Sequence, residues 1–114
     1  MSRIEKMALK VYGSTQSVCT RRVLTALIEK NVPYELVNVD FITAREHKSE
    51  AFLKLHPFGK IPVLEDNGVF IYESRAVARY IAKKFPTQGT KLIPADDDLK
   101  GYGLFEQVWQ YHIA

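Results

Sequence analysis

Two short runs carry the chemistry of this chain: His56-Pro57-Phe58-Gly59-Lys60-Ile61-Pro62-Val63-Leu64-Glu65-Asp66 and, shortly after, Tyr72-Glu73-Ser74-Arg75. Pro57 fixes φ and Gly59 frees it, so a loop must deliver Ile61-Pro62 to the head of the apolar strand Val63-Leu64. A proline there cannot extend a ladder. The backbone amide and carbonyl of Ile61 are therefore left to pair with an extended ligand. Ser74 precedes an apolar-periodic stretch as an N-cap does, so its hydroxyl and the free amides behind it suit a carboxylate, while Glu73 suits an ammonium. A short anionic peptide with a γ-glutamyl end carries both groups.

The elements that must hold these residues follow from periodicity. Leu9-Lys10-Val11-Tyr12 alternates as a strand, and Gly13-Ser14-Thr15-Gln16 breaks it before a helix with Val23, Leu24, Leu27 and Ile28 at helical spacing. Asn31-Val32-Pro33 stops that helix, and Tyr34 to Val39 alternates again, which makes a βαβ unit with parallel strands. Thr43 to Leu55 reads as a polar loop with a short helix over Ser49 to Lys54. Val63 to Glu65 and Val69 to Tyr72 form a hairpin around Asp66-Asn67-Gly68, a turn of Asn-Gly type. From Arg75 to Lys84 the residues Ala76, Val77, Tyr80 and Ile81 make a buried stripe, with Pro86 just past its end. Tyr12, Tyr34, Tyr80 and Phe85 read as core or core edge.

Length and composition bound the rest. At 114 residues and 46% hydrophobic the chain can bury one core, hardly two. The net charge of +3 arises from 16 basic and 13 acidic residues that are interspersed, which argues against nucleic acid. No apolar stretch approaches the roughly 18 residues of a membrane span, and the segment before Leu9 is too polar for a signal peptide, so a cytoplasmic protein is expected. One cysteine, Cys19, excludes an internal disulfide and a zinc site of several thiolates, and no metal is expected.

The order βαβ, short helix, ββ, helix is that of an α/β thioredoxin-like domain, and the motifs add a family. The chain resembles the N-terminal domain of a glutathione transferase, closest to the phi-like, serine-type class. Residues 56–62 are similar to the class loop Asn-Pro-Phe-Gly-Gln-Val-Pro, and residues 73–81 match Glu-Ser-Arg-Ala-Ile-Ala-Arg-Tyr-Ile with one conservative change. His56 stands for the usual Asn and Lys60 for a common Gln, so contact with the ligand's glycine end becomes ionic. The resemblance implies a cis Ile61-Pro62 bond and glutathione as co-substrate, with its thiol conjugated to small hydrophobic electrophiles. Glutathione-binding residues implied by it are His47, Lys48, Lys60, Ile61, Pro62, Glu73 and Ser74. Phe58 is implied as a dimer anchor.

Ser17 is the catalytic hydroxyl by the same resemblance, against the alternative of an ordinary N-cap. A helix start is worth about 0.3–1 kcal/mol to an anion, and a charge-assisted bond about 1.5–3. Lowering a thiol's pKa from about 8.5 to about 6.5 raises thiolate at pH 7 about 25-fold but costs about 8-fold in nucleophilicity, so positioning of the two substrates must supply most of the rate. Cys19 is the rival nucleophile, as in thiol-dependent proteins of this fold. Two helical residues turn about 200°, which places Cys19 toward the core if Ser17 faces the cleft. Arg21, one turn beyond Ser17, either adds positive potential or lies on the surface.

The expected organisation is an N-terminal extension over residues 1–7, the glutathione-binding domain over 8–85, a polar linker over 86–98, and over 99–114 the first helix of an all-helical C-terminal domain, incomplete here. That helix carries Tyr102, Phe105, Trp109 and Ile113 on one face. Low conjugating activity is expected of this length of chain, together with a homodimer or a domain-swapped assembly that uses residues 86–98 as a hinge. Two alternatives remain at this point: a non-catalytic glutathione- or ligand-binding module, such as the transferase-like domain of a translation elongation complex or a ligand carrier, or a redox enzyme acting through Cys19.

Overall fold

The computed structural model describes residues 9–111, with side chains to residue 107. The N-terminal extension, the Trp109 side chain and Ile113 lie outside the described residues. Strand β1 spans Leu9–Gly13, helix α1 Val18–Glu29 and β2 Tyr34–Asn38; a 3-10 turn over Glu46–Lys48 leads into a short α2, Glu50–Leu53. The hairpin follows as β3, Val63–Asp66, and β4, Val69–Tyr72. Helix α3 is Ser74–Lys84, and α4 is Leu99–Tyr111. The sheet order is β2-β1-β3-β4, with β1 and β2 parallel and the hairpin antiparallel to them. This is the expected thioredoxin-like arrangement.

Alternation explains the two cores. Leu9, Val11 and Leu64 point to one face of the sheet, where Val23, Leu24, Ala26 and Leu27 of α1 and Val77 and Ile81 of α3 cover them. Val63 points to the other face and packs with Val39 and Phe52, with Tyr12, Leu55, Ile61 and Tyr72 at the margin. Ile28 and Ala76, counted with the buried stripes by spacing, are exposed.

Local chemistry ends the elements as read. Asn31 takes φ 55 at the end of α1, and Asn67 and Gly68 take φ 49 and 82, the two left-handed residues that a primed hairpin turn requires. Asp66 closes the hairpin onto α3 by accepting from Tyr80 and Lys84. Burial pushes its carboxyl up, but those two donors prevail and hold it below its ordinary value.

Residues 86–98 differ from a free linker. Thr90 N donates to Glu29 O at 2.8 Å, Thr90 Oγ1 to Glu29 Oε2 at 2.7 Å, and Gln88 Nε2 to Asn31 O at 2.9 Å. Gly89, at φ 66, lies so close to α1 that a Cβ would fall 2.2 Å from Glu29 O. A hinge here would first have to release these bonds. Helix α4 then returns to α3, where Glu106 pairs with Arg79 at 2.7 Å and the Arg79 guanidinium lies 5.6 Å from the Phe105 ring centre. Leu99, Tyr102 and Leu104 of α4 remain exposed. Among the described residues no helix is long and apolar enough to cross a membrane.

Candidate functional site

The sheet ladder stops where the ligand edge was expected. The last pairs of β3 join Val63 to Tyr12 and to Tyr72, so Ile61 lies beyond the ladder, and the Ile61-Pro62 bond is cis. The preceding loop is fixed from below. His56, 1% exposed, accepts from Phe58 N through Nδ1 at 3.1 Å and stacks on Tyr72 at 4.1 Å. Burial is the main cause that lowers the His56 pKa, partly offset by the Glu73 carboxylate. Gly59 takes φ 60, and a Cβ on it would lie 2.7 Å from His47 O, so both its conformation and its neighbour demand glycine.

Ile61 and Pro62 meet Glu73 and Ser74 across a groove that Lys60, Cys19, Arg22, His56 and Arg75 also line. Glu73 stands just outside α3 with φ 75 and ψ 106, a strained conformation for a residue with a side chain. Ser74 is thus the first residue of the helix and not its N-cap as the sequence suggested. Its hydroxyl oxygen accepts from Arg22 Nη1 at 2.8 Å, which leaves the hydroxyl proton for a ligand.

Ser17 is the N-cap of α1: its backbone is extended, at φ −93 and ψ 125, and its oxygen accepts from Thr20 N at 3.2 Å. Capping and thiolate binding are compatible, because the cap uses a lone pair and leaves the proton. A second hollow lies beside the turn that precedes Ser17, lined by Ser14 to Gln16 and by Asp40 to Thr43, and Ser17 itself lines neither this hollow nor the groove. Asp40 shapes its rim. Thr43 Oγ1 and N, then the Ala44 and Ile42 amides, hold its carboxyl down at about 2. Tyr12 keeps its proton, since its hydrogen bond to Glu65 pushes it up to about 12.

Cys19 corrects the sequence reading: it is exposed and lines the groove instead of the core. Ser17 is extended and the helix starts at Val18, so the 200° turn between two helical residues does not separate Ser17 from Cys19. Arg22, which the sequence reading passed over in favour of Arg21, lies 3.9 Å from Cys19 Sγ by its Nη1. Arg21 is exposed. His47 and Lys48 are not brought into this groove. They lie on the 3-10 turn, where Lys48 Nζ donates to Phe58 O at 3.1 Å and the His47 ring meets Phe41 edge-on at 6.2 Å. Burial, ahead of the charges of Lys48 and Arg45, lowers the His47 pKa. Phe58 is 67% exposed at the loop tip.

The fold is that of a thioredoxin-like domain, with the groove at the starts of β3 and α3. Residues 7–83 match the family model of the glutathione S-transferase N-terminal domain, and the chain belongs to that family. Glutathione S-transferase hmp2 of Hypomyces subiculosus is 54% identical over 101 residues, covering 89% of this chain and 46% of that protein. Glutathione S-transferase APIC of Nicotiana tabacum is 46% identical over 90 residues, covering 79% and 42%. Among solved structures, an F-type glutathione transferase of Populus trichocarpa superposes with a TM-score of 0.81 at 47% identity, covering 91% of this chain and 47% of its own. A diazinon-metabolizing glutathione S-transferase of the silkworm Bombyx mori gives 0.83 at 33% identity, covering 95% and 52%. The chain spans about half the length of these relatives. F-type plant transferases recur among them, in keeping with the phi-like resemblance.

Proposed function

We propose that this chain is the glutathione-binding part of a serine-type transferase that conjugates the thiol of glutathione to small hydrophobic electrophiles in the cytoplasm. The observation that carries the reading is the meeting of the unpaired Ile61-Pro62 edge with Glu73 and Ser74 across one groove. In this reading the backbone of Ile61 pairs with the cysteinyl unit, Glu73 takes the γ-glutamyl ammonium, and Ser74 takes its carboxylate. Lys60 draws the glycine carboxylate, with His47 and Lys48 behind it on the neighbouring turn. The Ser17 hydroxyl stabilises the thiolate by donating a hydrogen bond to it, and Pro62 fixes the edge. Helix-start and hydrogen-bond terms favour the charged thiol, and the electrophile is held by the hollow beside the turn before Ser17 and by whatever covers α4.

A homodimer is part of the same proposal, with Phe58 as anchor and the exposed Tyr102 and Leu104 covered by a second copy or by further helices. Calorimetric titration with glutathione tests the binding claim. Glu73→Gln should weaken affinity by about 1.5–3 kcal/mol, since a charge-assisted bond is broken. Unchanged affinity would remove Glu73 from ligand binding.

One observation favours a second reading. Cys19 is exposed in the groove beside Arg22, so its thiolate could attack glutathione disulfide, forming a protein–glutathione mixed disulfide and releasing one glutathione thiolate. Intact-mass measurement after exposure to glutathione disulfide, with Cys19→Ser as control, tells the two apart.

A further inference from the structure

The ligand edge leans on an imidazole. Phe58 N donates to His56 Nδ1 at 3.1 Å and Gly59 N to His56 O at 2.9 Å, so His56 holds both peptides at the tip of the loop that carries Lys60 and Ile61. Its ring packs on Tyr72 at 4.1 Å and meets Phe58 edge-on at 6.0 Å. A ring nitrogen that accepts an amide proton carries none of its own, so the neutral ring keeps its proton on Nε2. Among the described residues Nε2 makes no hydrogen bond, yet it is not sealed from solvent, and the ring lines the groove.

A second proton cannot enter without disturbing the loop. It would sit on Nδ1 and face the Phe58 amide proton, donor against donor, in a side chain that is 1% exposed. Either the ring or the Phe58 peptide must then turn aside, and Phe58 stands just before Gly59 and Lys60. The surroundings oppose the charge as well. Burial is the main cause, with Lys60 of the loop and Lys48 of the 3-10 turn acting in the same direction, while the Glu73 carboxylate at the start of α3 pulls the other way. Cys19 and Arg22 of α1 and Arg75 of α3 line the same groove, and Tyr72 of β4 stacks on the ring without a charge.

We propose that His56 is a positioning residue that lets the groove take glutathione only while its ring is neutral, so that in mild acid binding expels one proton from Nδ1 to the solvent. The inference rests on the groove being the glutathione site. The bound state needs the backbone of Ile61 in place, and the protonated ring displaces the loop that presents it. In that complex the γ-glutamyl ammonium also neutralises Glu73, the carboxylate that favours the imidazolium, and the glycine carboxylate on Lys60 offsets part of this effect.

Calorimetry with S-methylglutathione, whose thioether does not titrate, tests this from about pH 7.5 to about pH 5, a span that lies above the ordinary carboxylate range and covers that of histidine. Affinity is expected to fall with acid by up to about tenfold per pH unit, and enthalpies in buffers of different ionisation heat should report up to about one proton released per ligand bound. His56→Asn, whose side-chain oxygen can accept the same amide proton at every pH, should flatten both readouts. Acid weakening that survives in this variant would belong to His47 or another group and overturn the proposal. A flat affinity or no proton release in the unaltered chain would overturn it without any variant having to fold. No binding at about pH 7.5, where histidine is neutral, would overturn the groove reading and this inference with it.

Discussion

The Arg22–Ser74 bond can be weighed directly. Arg22 Nη1 reaches Ser74 Oγ at 2.8 Å across the start of α3, and a hydrogen bond with one charged partner contributes about 1.5–3 kcal/mol. Arg22 is only half-buried, which places this bond at the low end, near 1.5 kcal/mol. In the proposed complex the same guanidinium fixes the hydroxyl whose proton meets the γ-glutamyl carboxylate. Arg22→Gln should therefore weaken glutathione binding about tenfold, the equivalent of about 1.4 kcal/mol. Ser74→Ala should cost a similar amount, because it removes the contact that Arg22 supports. The two losses should not add: in a double-mutant cycle read by glutathione calorimetry, the coupling should be about 1 kcal/mol or more. Coupling within about 0.3 kcal/mol of zero would mean that Arg22 acts only as a diffuse positive charge, and the positioning argument would fall.

Ser17→Ala should keep glutathione affinity within a few-fold yet raise the bound thiol's pKa, which ultraviolet titration of the thiolate reads directly; losing the cap should also lower stability by about 1 kcal/mol. Gly59→Ala should destabilise by about 2 kcal/mol or more in urea melts, since a left-handed alanine is strained by about 1–2 kcal/mol and its methyl would press on His47 O. Stability should fall with acid in two stages. His47 and His56 have lowered pKa values in the folded chain, so protons prefer the unfolded chain as pH drops below about 6.5. Asp66, also lowered, supplies stability that is present above about 3.9 and lost as pH falls through its folded value. Asp66→Asn should shrink the lower stage and leave the part that Asp40, held down at about 2, supplies, as followed by denaturant midpoints across the acid range.

The strands, the hairpin and the ligand edge were legible because their signals are local. Alternation set β1 and β2, Asn67-Gly68 set the turn, and Pro57, Gly59 and Pro62 dictated the loop that stops the ladder at Val63. Cys19 was misplaced because a helical angle was counted from Ser17, a residue still in extended backbone. Ser74 was taken for a cap because serine is a common one. The strained φ of Glu73, which shifts the helix start by one residue, has no signature in composition. Arg22 escaped notice because its partner is 52 positions away. Residues 86–98 looked like a tether since they are polar. What pins them is mainly backbone-directed bonding to the end of α1, to which composition is blind.

That attachment makes the segment a splint. Gly89 sits against Glu29 and Lys30 with no room for a side chain, while Gln88 and Thr90 grip on either side, so the strap can neither slide along α1 nor rotate upon it. The launch direction of α4 is consequently inherited from α1, the helix whose first turn carries Ser17. The start of α4 is thereby set relative to that hydroxyl by the strap on α1 and by the Arg79–Glu106 pair on α3. Lengthening the strap by one residue between Gln88 and Thr90 would shift that start by about 3.3 Å, the rise of an extended residue, with every element of the sheet untouched.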